Sequence, residues 1–334
     1  MVTQIHAKHT LLPPDLILRT AQWSDVDAVA KLILDVCTAD GDPTVAVSPE
    51  ELRRQWQTEG FTLDKDTWIV ETSDGQIVGY EEFNNNYAHA SLNGDGYVHP
   101  DFMGRGIGTA MLRAIDERAR EEMKLADPGL RVFIRNHIAI GDKAGRAMHE
   151  NEGYKAIRFS WRMEINLEEP APPAWPAGIE LRPFDLNEHN RTVFEADEEA
   201  FRDHWGHTPG NYERWQHQHH MIDGEKFDPS LWFIAWGGDQ IAGYSLCRYR
   251  MGIGWVSSLG VRRPWRKKGL GLALLLHSFG EFYKRGMKTV GLIVDAANPT
   301  GATRLYQKAG MRVANEYVTY EKEYRPGREP EEES

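Results

Sequence analysis

Apolar residues along this chain keep two rhythms, and the order in which the rhythms alternate is itself repeated. Leu16 to Arg19 reads as a short strand, followed by Val29, Leu32 and Ile33 at helical spacing, with an N-cap predicted at Ser24. A second helix is predicted from Ser48-Pro49-Glu50, where proline sits in a first turn that does not need its N–H. Thr67 to Thr72 and Gln76 to Phe83 flank Asp74-Gly75 as the arms of a hairpin. Next come a strand ending at Val98, a glycine-containing loop, and a helix through Ile107, Met111, Leu112 and Ile115. A strand at Arg131–Ile134, an irregular connection from Asn136 to Gly145, a helix through Ala147 and Met148, and a closing strand from Ile157 to Met163 complete the set.

The set then returns about 164 residues later. Leu18-Arg19 recurs as Leu181-Arg182, Trp68-Ile69-Val70 as Trp232-Phe233-Ile234, Ile77-Val78-Gly79-Tyr80 as Ile241-Ala242-Gly243-Tyr244, and Gly106 as Gly269. Nearly constant offsets over half a chain indicate a tandem duplication. Strands are expected in the second copy at Glu180–Arg182, Leu231–Ala235, Ile241–Tyr249, Trp255–Val261, Val290–Val294 and Val313–Tyr320. Residues 168–178 hold four prolines and a glycine, which suits a semi-rigid linker. The expected organisation is therefore a domain at 15–167, the linker at 168–178, a second domain at 179–325, and a disordered acidic tail at 326–334. A hairpin followed by strand-helix-strand predicts an α+β fold in each copy: a mixed, mostly antiparallel sheet flanked by helices.

Bulk properties narrow the class. With 334 residues, 41% apolar and 27% charged, the chain reads as an ordinary soluble protein of about two domains. A net charge of -11 disfavours nonspecific nucleic-acid binding. Cys37 and Cys247, far apart, suit reduced thiols in a cytoplasmic protein. The first fourteen residues lack the pattern of a signal peptide, and no run reaches membrane-span length. His217, His219 and His220 lack the spacing of a metal pair on a helix, so no metal is expected.

Candidate chemistry concentrates at Val261-Arg262-Arg263-Pro264-Trp265-Arg266-Lys267-Lys268-Gly269-Leu270-Gly271, between a predicted strand and a helix carrying Leu274, Leu275, Phe279 and Phe282. Glycines let backbone approach a ligand closely, and the first amides of a helix have no partner within it. Such a loop, with Arg266, Lys267 and Lys268, suits an anion of pyrophosphate type. Arg266-x-x-Gly269-x-Gly271 resembles the coenzyme A loop of the GCN5-related N-acetyltransferase (GNAT) superfamily. Asn298-Pro299-Thr300-Gly301-Ala302, running into Leu305-Tyr306, is similar to the second cofactor segment of that superfamily.

The resemblance implies tandem GNAT domains, acetyl-CoA as donor and a primary amine as acceptor, acetylated by direct attack in a ternary complex. It implies that Leu259, Gly260 and Val261 hold the pantetheine arm and stabilise the oxyanion, that Arg262, Arg266, Lys267, Lys268, Gly269, Leu270 and Gly271 serve the pyrophosphate, and that Asn298 contacts the arm. Tyr306 matches the general acid. Glu199, Asp203 and His204 lie where the superfamily builds its acceptor wall and are candidate bases or cation binders, although helix capping and surface exposure account for them equally well.

In the first copy, Val98, Gly104, Arg105, Gly106, Ile107 and Gly108 occupy the cofactor positions, but Met103 stands in place of Arg266 and His149 in place of Tyr306. The chemistry is accordingly expected in the second copy. This asymmetry resembles tandem members of the superfamily that acetylate the amine of a thiol sugar with their C-terminal copy. Acetylation of a protein N-terminus or lysine, and a noncatalytic acyl-CoA-binding role, are the alternatives. Partners are expected to be acetyl-CoA and a small amine, with no nucleic acid and no membrane, in a monomer that mimics a dimer or in a homodimer. A dinucleotide fold is disfavoured because Gly104-x-Gly106-x-Gly108 lacks the Gly-x-Gly-x-x-Gly spacing, and a P-loop because Gly-Lys-Ser/Thr is missing.

Overall fold

A computed structural model describes residues 12–205, 207, 210–220, 227–298 and 300–330. The elements of the first copy are β1 (Leu16–Arg19), α1 (Val26–Ala39), α2 (Pro49–Gln55), α3 (Leu63–Asp66), β2 (Thr67–Thr72), β3 (Ile77–Tyr87), β4 (Ser91–Val98), α4 (Ile107–Glu122), β5 (Val132–Ala139), α5 (Lys143–Asn151) and β6 (Lys155–Asn166). Those of the second are β7 (Ile179–Arg182), α6 (Leu186–Phe201), α7 (Tyr212–His220), β8 (Trp232–Gly237), β9 (Gln240–Arg250), β10 (Ile253–Val261), α8 (Leu270–Lys284), β11 (Thr289–Asp295), α9 (Ala302–Lys308) and β12 (Arg312–Arg325). Ser48 caps α2 as expected, accepting from the Glu51 amide. The cap expected at Ser24 is displaced: a 3-10 turn at Trp23–Asp25 precedes α1, and the Asp25 carboxylate takes the Gln22 amide.

The described residues fold as two compact units that do not coincide with the two copies: those of 12–158 with 317–330 form one, and those of 159–316 the other. The first unit has strand order β1-β2-β3-β4-β5-β12 and the second β6-β11-β10-β9-β8-β7. The copies have exchanged their last strands. Tyr317 to Arg325 of β12 run antiparallel to β5, and Val318 and Tyr320 are buried in the first core with Met111, Ile115 and Ile134. Reciprocally, Ser160 to Asn166 of β6 run antiparallel to β11, and Met163 is buried in the second core with Leu292 and Phe279. Complete burial of such side chains stabilises each unit by roughly 1.5–3 kcal/mol per residue.

This exchange displaces the domain boundary expected at 168–178, because the alternation of a strand records that it pairs but not with which sheet. It also explains why the connection expected from Asn136 is strand as far as Ala139: Asn136, His137, Ile138 and Ala139 pair with Tyr320, Thr319, Val318 and Tyr317 of the incoming β12. The start of the tail is likewise attached. Arg328 bridges to Leu130 and exchanges backbone hydrogen bonds with Gly129 and Arg131, while Glu329 lies 3.3 Å from the Arg131 guanidinium.

In both units the central parallel pair is short and then parts. β4 and β5 are paired only from Ser91 to Asn93, and β10 and β11 only at Gly254 and Trp255. A helix crosses each sheet closely at a glycine: a Cβ at Gly79 would meet Ile107 and Met111, and one at Gly243 would meet Leu270 and Leu274. Among the described residues no helix is long and apolar enough to cross a membrane.

Candidate functional site

The loop between β10 and α8 turns through two left-handed residues, Lys267 (φ 62°) and Gly269 (φ 86°), the second of which is the N-cap of α8 and offers it no side-chain cap. The first-turn amides are therefore available to an anion. Most cationic side chains of the loop serve its shape. Arg266 donates from Nε to the Val261 carbonyl (2.9 Å) and from Nη2 to the Ala200 carbonyl (3.1 Å), tying the loop to the ends of β10 and α6. Lys268 reaches the Pro264 carbonyl at 2.9 Å. Lys267 is exposed.

Glu199 and Asp203, candidate bases by sequence, are engaged by the same loop. Glu199 accepts from Arg262 Nε at 2.6 Å, and Asp203 from Arg263 at 2.7 Å. The Arg263 and Arg266 guanidiniums hold the Asp203 carboxyl below its ordinary pKa, which makes it a poorer base. His204 packs its ring on Phe201 with centroids 4.4 Å apart, and burial lowers its pKa.

A different carboxylate faces the open strand. Asp197 of α6 accepts from the Tyr244 hydroxyl (2.7 Å), the Ser258 hydroxyl (2.8 Å) and Trp215 Nε1 (3.1 Å). Ser258 lies at the bulge of β10, just beyond the point where β10 and β11 part. Leu259, Gly260 and Val261 follow it, each paired with β9 on one edge and lacking a ladder partner on the β11 side among the described residues. Gly260 is required there, since any Cβ would collide with the Tyr244 hydroxyl. Asp197 was legible in principle: it lies one helical turn after Val193 and one before Ala200, both buried, so it is a charge on the apolar stripe of α6.

Tyr306 of α9 is 8% exposed, its hydroxyl has no hydrogen-bond partner among the described residues, and burial pushes its pKa up to about 12. The Asn298 carbonyl oxygen is taken by the amide and hydroxyl of Thr300, so this side chain shapes the turn before α9. Pro299, also in that motif, lies outside the described residues.

The model of the acetyltransferase (GNAT) family matches residues 190–311, and that of the acetyltransferase (GNAT) domain matches residues 64–156. A crystal structure of a GCN5-related N-acetyltransferase from Sphaerobacter thermophilus is 39% identical, with a TM-score of 0.79, over 95% of this chain and 98% of that one. The chain belongs to the GNAT acetyltransferase family. It is a tandem member of that family, whose donor is acetyl-CoA. Mycothiol acetyltransferases are similar over most of their length: the protein of Streptomyces scabiei is 27% identical over 88% of this chain and 89% of its own, and that of Kineococcus radiotolerans 29% over 88% and 92%.

The first GNAT unit keeps the loop backbone of the second. Gly104 (φ 74°) and Gly106 (φ 80°) repeat the left-handed pair, and Gly106 caps α4 without a side-chain bond. The strut is missing, because Met103 is exposed where Arg266 is tied down, and Arg105 pairs with Asp15 at 2.8 Å. Val98, Gly104, Gly106, Ile107 and Gly108 line a cavity of about 460 Å³. His149 lines it too, at the position of Tyr306. Among the described residues no three His, Cys, Asp or Glu side chains gather as metal ligands. The side chains of His217 and His220 lie outside the described residues, and His219 donates from Nδ1 to the Trp215 carbonyl.

Proposed function

We propose that the protein transfers the acetyl group of acetyl-CoA to the primary amine of a small molecule, by direct attack in a ternary complex in the second unit. One observation carries this reading: Asp197 is bonded to Ser258 at the open edge of β10, in the unit that also holds the tethered loop and the unpartnered Tyr306 hydroxyl. In this reading the amides at the start of α8 hold the pyrophosphate, with Lys267 adding charge. Backbone N–H groups of Leu259 to Val261 hold the pantetheine arm and stabilise the oxyanion.

Asp197 receives the proton of the ammonium, directly or through Ser258, and Tyr306 delivers one to the departing sulfur. With its pKa near 12, the phenol remains protonated at neutral pH, the state an acid catalyst needs. Glu199, Asp203 and Arg262 act on the loop as positioning residues. Asn298 does the same for the turn before α9. The enzyme is proposed to work in the cytoplasm as a monomer or homodimer.

The names of the mycothiol acetyltransferases favour the amine of a thiol sugar as a second, narrower reading. Calorimetric titration with acetyl-CoA, comparing the parent with Lys267→Glu/Lys268→Glu, tests the donor site. Saturable binding that weakens at least tenfold in the variant is expected. Thiol release with small amines, against peptides bearing a free N-terminus or lysine, then tests the acceptor class. Consumption of peptides alone would overturn the small-molecule reading, and binding without turnover on either would favour a regulatory role.

A further inference from the structure

The cavity of the first unit is bordered by the parted ends of β4 and β5, the Gly104–Gly108 loop, α1 and α5. Its lining includes Asp40, Asp42, Glu81, Asp95 and Asp142 and no lysine or arginine. An enclosure with that charge set favours a cation. A second observation points to a ligand with several N–H donors. Glu81 Oε1, Asn136 Oδ1 and His149 Nε2 are buried without a hydrogen-bond partner, in residues 4%, 3% and 3% exposed that all line this cavity.

The tautomer of His149 follows from its other nitrogen. Nδ1 lies 2.8 Å from the Gly145 carbonyl, which can only accept, so Nδ1 carries the proton and Nε2 presents a lone pair. Burial lowers the His149 pKa and keeps the ring neutral. Glycine makes room here: a Cβ at Gly96 would strike Glu81, and one at Gly94 would strike Ile115 and crowd Asn136.

Asp95 stands between those two glycines on the opposite face of β4, directly across from Glu82 in the register and accepting from the Tyr97 hydroxyl at 2.9 Å. Glu82 is already engaged by Tyr80 and Asn84. Asp95 lines the cavity, where its carboxylate is accessible to a ligand. The surrounding cavity walls and the facing Glu82 push its pKa up to about 7.

We propose that the first unit is a second acetyl-transfer centre, in which a small primary ammonium compound is held among these acceptors and Asp95 is its proton acceptor. This rests on the acetyltransferase reading. One ammonium proton passes to the Asp95 carboxylate, and the freed nitrogen pair forms a C–N bond to the thioester carbonyl of acetyl-CoA lying on the Gly104–Gly108 loop. The C–S bond breaks, the remaining extra N–H proton ends on the sulfur, and Asp95 returns its proton to solvent, leaving an amide and coenzyme A.

The test uses full-length Lys267→Glu/Lys268→Glu, which reverses the charge of the two exposed lysines of the second loop. Calorimetry should still find an acetyl-CoA site there, weakened at least tenfold by adding Gly104→Asp, a residue type tolerant of left-handed backbone at a position with open space. Thiol release with glucosamine or putrescine should persist in this protein and fall at least tenfold on adding Asp95→Asn, with the melting temperature retained. Loss of all acetyl-CoA binding from the charge-reversed protein, while the parent binds, would overturn the proposal and leave the second-unit reading standing. So would turnover indifferent to Asp95→Asn, or retained binding with no turnover of either amine. A parent that binds no acetyl-CoA would remove both readings.

Discussion

The two units bring a carboxylate to the same strand position by different routes. In the first, Asp95 belongs to β4 and faces Glu82; in the second, the matching position of β10 is Ser258, facing Leu246, and the carboxylate arrives from α6 as Asp197. The neighbouring tyrosines show the same substitution of partners. Trp56 Nε1 donates to the Tyr80 hydroxyl, which donates to Glu82, whereas Trp215 Nε1 and the Tyr244 hydroxyl both donate to Asp197. The duplicated scaffold determines where charge is useful, and the element that supplies it is free to change. The loops differ in the opposite sense, since their left-handed turns are alike while only the second has the Arg266 strut.

The sharpest way to break the comparison is at the acid. Tyr306→Phe is expected to lower turnover by about 100-fold or more while leaving acetyl-CoA affinity within about twofold, measured by thiol release and calorimetry. An unchanged rate would remove the acid role and make Tyr306 a core residue.

Next is Asp197→Asn, which keeps a side-chain oxygen for Tyr244 and Ser258 but cannot take a proton. Turnover per folded molecule should fall roughly tenfold or more, with a melting temperature lowered by a few degrees because the Trp215 indole N–H loses its acceptor. A large loss of stability without a loss of rate per folded molecule would make the aspartate purely structural.

Arg266→Met gives the second loop the residue of the first. Losing two bonds from a charged donor to backbone carbonyls should weaken acetyl-CoA binding about tenfold, equivalent to about 1.4 kcal/mol. If affinity holds, the strut is dispensable and the two loops are functionally closer than their sequences.

The smallest effect concerns pH. Asp95 faces Glu82 across the strand and Tyr97 on its own strand, with Cys37 of α1 lining the same cavity. Its folded pKa, about 7, lies above the unfolded value of about 3.9, so the folded state binds the extra proton between them. The stability this gives is full below the lower value and is lost as pH rises through about 7. Melting curves from pH 5 to 8 should therefore show the parent losing a few degrees relative to Asp95→Asn; parallel curves would mean that Asp95 ionises at the ordinary carboxylate value.

The elements of the candidate site in the second unit were legible in the chain. Arg266, Gly269 and Gly271 placed the loop, and Tyr306 stands in the helix where its motif put it. The proposed base, Asp197, was marked in the chain only as a charge on the apolar stripe of α6; Glu199 on the same helix and Asp203 just beyond its end compete with it, and only the fold reveals that these two turn to the loop arginines. The equipment of the first unit was equally hidden. Met103 and His149 read as losses along the chain, while Glu81, Asp95 and Asn136 come together only when β3, β4 and β5 are set side by side.

The sequence by itself determined the repeat, the α+β class and the glycine-containing loops before α4 and α8, because these depend on residue type and spacing over a few positions. Tertiary structure alone decided that β6 and β12 change places, which carboxylate meets each open strand, and that a cavity forms around Asp95. Those outcomes depend on pairings between residues more than a hundred positions apart, such as Tyr317 with Ala139 and Asp295 with Ser160, and local periodicity carries no record of the partner.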